Sequence, residues 1–565
     1  MDSMGKQESR IGRLPFAGSA LERIMVYSRA SHGIPWLPLA ACGAYMVLLL
    51  SHFPRLIAET NANSDAAWAQ VVSLMPGTGD EGDLIKVGGS FSSLWFLHLT
   101  RTFPFRQFLW DATPLLIFIA GVALISWAVW KAAGKWPALL TFAVLTAATP
   151  SVLKHTLAHG LRGHTWFASA ALTAGLVFLV VKREGMRART RIVVVCLGIL
   201  IGGAIFASDL FFMVSGLGPI VVASLALWLV EPTRANRRLA TTAVGIAVGS
   251  AVLAIGIWRW MHALGFRKTY LNTGFTFGTF DQIIENSQNF LQDFLLLVNG
   301  YFFGSPLAKR TLVELGLAAL GTLAIAAPFV LLRSQILQRK QGKPFDRLLF
   351  LLASFWGVAT AGVAASFILT TVAYGTGIGT LRYLVPLFFA TGATFPIWAL
   401  RSRWGRILAV GGATAFIVLS AHSLIPGAQG RPQPLYASES TPLIREAPKI
   451  FAFLRSQGAT RGYTGYWNSH SLTYKSEMKI SALPVFECRG SGSKSLCPFW
   501  VHVRTSWYIP RDGVRTFLLT DSGTTDGGLT APPSEEFGQP VLERKFGELT
   551  LYIYDYDIAS RFETF

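Results

Sequence analysis

Long apolar runs separated by short polar breaks fill most of the chain. A membrane-spanning helix needs about 20 mainly apolar residues. Eleven stretches read as such helices: 35–53, 112–130, 137–153, 166–181, 192–207, 211–230, 239–260, 312–332, 348–373, 383–400 and 407–425. The fifth and sixth are separated only by the tight Ser208-Asp209 turn. After residue 425 the pattern changes. A Pro-rich stretch, 426–442, gives way to alternating polar and apolar positions. A helix is predicted over 442–457, ending at Gly458, with strands over 461–467, 499–508, 514–520 and 548–555.

Composition agrees with this pattern. Of 565 residues, 52% are hydrophobic and 14% charged, against about 25% charged in a soluble domain. The fold class is an α-helical polytopic membrane protein with a C-terminal extracytoplasmic α/β domain. The basic residues give it an orientation. Lys and Arg gather in the N-terminal segment and in the short breaks at Lys131/Lys135, Lys182–Arg191, Arg234–Arg238, Arg333–Arg347 and Arg401–Arg406. All of these fall on one side of the alternating helices, and the positive-inside rule makes that side cytoplasmic. The divisions are then a cytoplasmic basic segment, 1–34, a transmembrane domain, 35–425, and an external domain, 426–565. The transmembrane domain carries long external loops at 54–111 and 261–311. No cleavable signal peptide is expected, because a polar, basic stretch precedes the first apolar run. The net charge of +19 is accounted for by orientation and contact with anionic lipid, so no nucleic-acid partner is expected.

Cys488 and Cys497, in ECRGSGSKSLCPF, are expected to form a disulfide in an exported domain, with a free pair as the alternative. Cys42 and Cys196 lie in apolar helices and read as packing residues.

Polar groups at the membrane are expensive, and their placement is informative. In NANSDAAWAQ, Asp65 follows the first apolar run. It suits the first turn of a helix capped by Asn63 or Ser64; equally, it is placed to act as a general base on an acceptor hydroxyl. Farther along that loop, Asp80 and Asp83 in GDEGD read as a solvated turn, with a divalent-cation site as the weaker alternative. In LKHTLAHGLRGHTW, Lys154, His155, His159, Arg162 and His164 form a basic cluster. His155 and His159, four apart, would share a helix face. Three readings compete there: a metal pair, a cup for a phosphate, and snorkelling side chains that meet headgroups. In YGTGIGTLRYLVP, Arg382-Tyr383 opens the tenth helix after Tyr374 and a Gly-rich turn, as a phosphate contact or a simple interfacial anchor. Arg259 and Arg267 stand near the outer end of the seventh helix. The apolar stretch 290–304 reads as an interfacial helix beside a lipid tail or as a packing helix.

A cytoplasmic N-terminus, one helix, a long external loop with an early Asp, a late Arg-Tyr helix start and an external α/β tail resemble the GT-C integral membrane glycosyltransferases of bacteria. The tail segment RGYTGYWNSHSLTYKSEMKISALPVF (461–486) is similar to the C-terminal domains of bacterial proteins of this kind. The resemblance implies transfer of a sugar, with inversion, from a polyprenyl-phosphate donor to an external glycan, lipid or protein acceptor. It places the protein in the bacterial inner (plasma) membrane, with the active site on the periplasmic or extracellular face. Carried over by position, Asp65 is the catalytic base. Arg382, Tyr383 and the cluster of Lys154, His155, His159, Arg162 and His164 would hold the donor phosphate, with Arg259 and Arg267 as further cations. Asp65 has Ser64 and Ala66 as neighbours rather than a second acid, so Asp209, Asp80 and Asp83 are the candidates for one. Trp467, Asn468, His470 and Lys475 are candidate acceptor contacts, with Trp467 as domain core the alternative. No cofactor is required by this reading, and a divalent metal stays open. The rival class is a multi-pass transporter or lipid flippase. It is disfavoured because the polar groups gather at one surface instead of mid-membrane.

Overall fold

The computed structural model describes residues 36–60, 64–75, 77, 83–88, 91–159, 162–182, 186–269, 276–372, 377–425, 442–488, 496–522, 529 and 534–562. It opens with α1 (Trp36–Ser51), α2 (Phe53–Thr60) and α3 (Ser64–Leu74), then strand β1 (Ile85–Val87), α4 (Leu94–Thr100) and α5 (Arg106–Ala133). The bundle continues through α6 (Lys135–Thr146), α7 (Pro150–Leu157), α8 (Gly163–Val181) and α9 (Ala188–Ser208). A π turn, Met213–Leu217, leads into α10 (Gly218–Val230) and then α11 (Arg234–Ala263). Strand β2 (Phe266–Lys268) and α12 (Phe280–Leu297) precede α13 (Lys309–Lys340) and α14 (Arg347–Leu369). A 3-10 turn, Gly377–Tyr383, is followed by α15 (Val385–Ala399) and α16 (Arg403–His422).

Among the described residues, eight helices are long and apolar enough to cross a membrane. Two helix pairs pass the same test together but are bent, α1–α2 by 67° and α6–α7 by 79°. α15 is a shorter apolar helix. Every apolar stretch therefore lies on a helix, and the bends are new. Pro54 and Pro150 cause them, since each lacks the N–H that would continue the preceding turn. Thr149 then caps α7 by accepting from Val152 N. The first bend shapes the candidate site. The chain expected as loop from residue 54 stays helical to Thr60 and carries Glu59. Arg382, expected at a helix start, instead ends the 3-10 turn. The stretch expected at 290–304 is the second half of α12 only as far as Leu297 and irregular beyond it; the N-terminus of α12 carries a capping box between Thr279 and Gln282.

The two ends of the bundle are well separated. α11 has 30 residues, a length of about 45 Å. At its start, Arg347 pairs with Glu231, joining two of the basic breaks. At its far end, β2 pairs in parallel with β1, and β1 pairs antiparallel with β6 (Val503–Arg504). That three-stranded sheet draws one strand from each of the two long loops and one from the tail. All three segments share one end of the bundle.

The tail begins, within the described residues, at α17 (Pro442–Ser456) and continues through β3 (Arg461–Gly465), α18 (Tyr466–Lys475), β4 (Ser481–Glu487) and β5 (Leu496–Pro498). After β6 come β7 (Thr516–Asp521), β8 (Leu542–Phe546) and β9 (Leu549–Tyr554). The strand order is β5-β4-β3-β7-β9-β8, with β3 parallel to both β4 and β7. Gly462 allows that pairing, since a Cβ there would lie 2.3 Å from the Phe517 ring. One sheet face packs on α17 and α18 through Ile450, Leu454 and Leu472. On the other side, Tyr463, Leu483, Trp507 and Tyr508 share a core with Trp68, Val72, Phe91 and Trp110 of the first loop and α5. Tail and membrane bundle are thus packed through a continuous core. The strand expected over 499–508 is replaced by the short β6 and a 3-10 turn, Thr505–Tyr508. The backbone breaks at His502, which takes φ 62°. β4, β5 and β8 were not expected. Cys488 and Cys497 are joined by a disulfide.

Candidate functional site

α3 starts the site. Ser64 is buried and its hydroxyl donates to the Trp467 carbonyl, fixing the helix start against α18. The next residue, Asp65, is half-buried. Its Oδ2 faces Arg382 Nη1 at 3.3 Å, and its Oδ1 accepts from the Tyr466 hydroxyl at 2.6 Å. Asp65 is therefore more than a first-turn acid. It meets a cation from the 3-10 turn and a phenol from the tail.

Tyr466 comes directly after β3, at the start of α18, where Gly465 turns strand into helix. The carboxyl end of a parallel strand is where α/β sheets place their binding crevices. The Tyr466 oxygen also lies 2.9 Å from His502 Nδ1. Trp68, one turn beyond Asp65, stacks on the His502 ring with centroids 4.0 Å apart. Burial, and then the charge of Arg382, push His502 down to about 3. His470 goes to about 3 by burial, with His502 adding to the shift and Asp65 opposing it. Tyr466 is pushed well up by burial and by Asp65. Both imidazoles are neutral and the phenol keeps its proton.

A second layer extends from Arg382. Its guanidinium lies 5.3 Å from the Tyr383 ring centre, and Arg162 lies 4.4 Å from the same centre. Arg162 pairs with Asp209 at 3.1 Å. Asp209 also accepts from Thr165 Oγ1 and from Phe211 N. Arg382, Lys154 and Arg162 all lie within electrostatic reach of His155. Glu59, on the unexpected extension of the first helix, acts in the same way on both Lys154 and Lys475. Asp65, Arg382, Tyr383, Arg162, Lys154 and His155 are brought together.

Other expected residues have different places. His155 and His159 do not share a helix face, because α7 ends at Leu157 and Ala158 is extended. His159 is buried, with Nε2 bonded 2.5 Å from the Trp110 carbonyl; its work is structural. His164 Nδ1 lies 3.4 Å from Ser92 Oγ. Arg259 is exposed, and Arg267 donates to the carbonyls of His262 and Phe266. Neither has a contact with Asp65 or Arg382 among the described residues.

As candidate second acids, Asp209 is taken up by Arg162, and Asp83 by Arg504 and Ser506 N. Both carboxylates hold segments together. Asp80 and Tyr374 lie outside the described residues. Asn468 is buried and donates to Asp521. Trp467 is 40% exposed beside Tyr466, and Lys475 is half-buried. Among the described residues, no three His, Cys, Asp or Glu side chains gather as a metal-ligand set.

Tyr466, His502, Trp68 and Glu59 were not read from the sequence as site residues. A local signal existed only for Tyr466, in the strand-Gly-helix pattern RGYTGYWNSH.

The fold and site define a polytopic membrane protein with a charged cluster at the end of the bundle that meets its α/β tail. No protein-family model matches the chain, and no curated protein matches it. Among solved structures, the chain is similar to the crystal structure of ArnT from Cupriavidus metallidurans in the apo state. The similarity covers 93% of this chain and 100% of that one, with a TM-score of 0.45 and 12% sequence identity.

Proposed function

We propose that this protein is a membrane glycosyltransferase that moves a sugar from a polyprenyl-phosphate donor to an extracytoplasmic glycan, lipid or protein acceptor. One observation carries the reading: Asp65 and Arg382 face each other at 3.3 Å, with a second guanidinium, Arg162, across Tyr383. A sugar-phosphate donor needs cations at its leaving group and a base at the incoming hydroxyl. Here they are adjacent.

In this mechanism Arg382 exchanges Asp65 for the donor phosphate, aided by Arg162 and Lys154. Asp65 takes the proton of the acceptor hydroxyl, whose oxygen bonds to the anomeric carbon. The bond from that carbon to the phosphate oxygen breaks, and its electron pair leaves with the polyprenyl phosphate. One displacement inverts the sugar centre. The protein supplies alignment and charge stabilisation.

The test uses membranes containing the full chain or Asp65→Asn at matched expression, with a panel of polyprenyl-phosphate sugars. Wild type transfers sugar, and Asp65→Asn loses about 10²- to 10⁴-fold in rate. Full activity of Asp65→Asn refutes the base assignment. Sugar-independent movement of lipid by the wild type, with no transfer from any donor, favours the flippase class.

A further inference from the structure

We infer that the C-terminal domain completes the catalytic site: a donor chain running from His502 through Tyr466 orients the Asp65 carboxylate. This rests on Asp65 being the base, and it assigns Tyr466 and His502 as positioning residues for it.

Proton counting gives the chain its direction. Tyr466 has one hydroxyl proton and two partners, Asp65 Oδ1 at 2.6 Å and His502 Nδ1 at 2.9 Å. An ionised carboxylate can only accept, so the hydroxyl proton points to Asp65. The phenol oxygen must then accept from His502, which fixes the Nδ1–H tautomer. His502 Nε2 is left buried without a hydrogen-bond partner among the described residues. A neutral imidazole and a protonated phenol are what such a chain requires, and burial favours both.

The surroundings hold His502 in this position at a cost. Its φ of 62° lies where few non-glycine residues sit, and strained backbone of this kind gathers at functional sites. Two features hold it there. The Trp68 ring lies 6° from parallel with the imidazole. Gly88 gives the ring room, because a Cβ there would come 2.9 Å from His502 Nε2.

The consequence is directional. With Oδ1 engaged by Tyr466, Oδ2 is turned to Arg382, the side of the proposed donor phosphate. Among the described residues, Arg382 from the 3-10 turn and Tyr466 from α18 touch Asp65, His470 from α18 lies within its electrostatic reach, and His502, from the loop before β6, meets it through Tyr466. Neither Tyr466 nor His502 receives the acceptor's proton. That proton ends on Asp65.

The experiment measures kcat and donor KM for the full chain in membranes, with a polyprenyl-phosphate sugar that the wild type uses. Tyr466→Phe should lower kcat about ten- to hundred-fold, the effect of losing a hydrogen bond to a charged group, with donor KM unchanged. His502→Ala should act the same way. His502→Asn should recover most of the rate, because Asn tolerates positive φ and presents an N–H near the place of Nδ1–H. An unchanged kcat in Tyr466→Phe, or His502→Asn no better than His502→Ala, overturns the donor chain. The His502 pair decides the matter if Tyr466→Phe fails to accumulate. An active Asp65→Asn overturns the reading of the base; an inactive one beside an unaltered Tyr466→Phe kcat overturns the donor chain alone.

Discussion

Trp68 and His502 lie face to face, with ring centroids 4.0 Å apart and planes 6° from parallel. One belongs to the first long loop, the other to the tail. Trp68 is fully buried, so the contact is a joint between the two parts of the molecule. Trp68→Ala should destabilise the protein by about 3–5 kcal/mol, as large core truncations do. Amide exchange should rise in α18 and β6 before it rises in α14. Thermal unfolding in detergent and exchange mass spectrometry check both. Equal exchange in all three elements would show that the tail is not held at this joint.

The two buried imidazoles give a pH dependence with a definite sign. His470 and His502 sit at about 3 in the folded protein and near 6.5 when unfolded. Between those values the unfolded chain binds protons that the folded one refuses. Their contribution is complete above about pH 6.5 and is lost as pH falls toward 3. The midpoint of thermal unfolding should drop between pH 7 and pH 4.5. His470→Leu, which removes one titrating group, should flatten that drop. Identical slopes for the two proteins contradict the assignment.

The apolar stretches were legible because each run is long enough to report its own burial, and the alternation of basic breaks carries only an expected orientation. The bends at Pro54 and Pro150 were harder to see, since a proline at a helix start and one inside a span look alike in sequence. Asp65 and Arg382 were singled out from their local settings and a family resemblance, but nothing local says that they touch. Their partners were hidden for a different reason. Tyr466 and His502 reach Asp65 only because the tail sheet packs on α3, and that convergence leaves no periodic trace. His155 and His159 show the reverse error. Their spacing suits one helix face, yet the helix stops at Leu157.

In the proposed mechanism Arg382 changes partner from Asp65 to the donor phosphate. Arg382→Gln should therefore raise donor KM about ten- to hundred-fold, the range for a lost charge-assisted hydrogen bond. Arg382→Lys should recover only part of this, because an ammonium cannot reproduce the guanidinium fork. Initial-rate kinetics over a range of donor concentration separate KM from kcat. A donor KM unchanged in Arg382→Gln removes the phosphate role.

Arg162 and Asp209 form a pair whose side chains are 14% and 4% exposed. Removing the cation leaves the acid with neutral donors, the Thr165 hydroxyl and the Phe211 N–H. Breaking such a buried pair costs about 3–5 kcal/mol, so Arg162→Gln should lower the unfolding midpoint sharply. Adding Asp209→Asn should restore part of it. A double-mutant cycle on thermal unfolding reads the coupling, and strictly additive effects would mean that the pair contributes nothing jointly.

The orientation can be tested without any substrate. β1, β2 and β6 bind both long loops and the tail into one sheet. Arg347 and Glu231 meet at the start of α11, about 45 Å away along that helix. Asp512 is exposed in the tail, and Lys343 is exposed in the break before α14. If the basic breaks are cytoplasmic, Asp512→Cys should react with a membrane-impermeant maleimide from outside the plasma membrane. Lys343→Cys should react only after that membrane is permeabilised. The native thiols, Cys42 and Cys196, lie within α1 and α9, so the unsubstituted protein supplies the background. Labelling in the reverse order would invert the molecule and place the Asp65 site on the cytoplasmic face. Labelling of both positions from outside would break the two-sided arrangement itself, because 30 helical residues would then fail to separate them across the membrane.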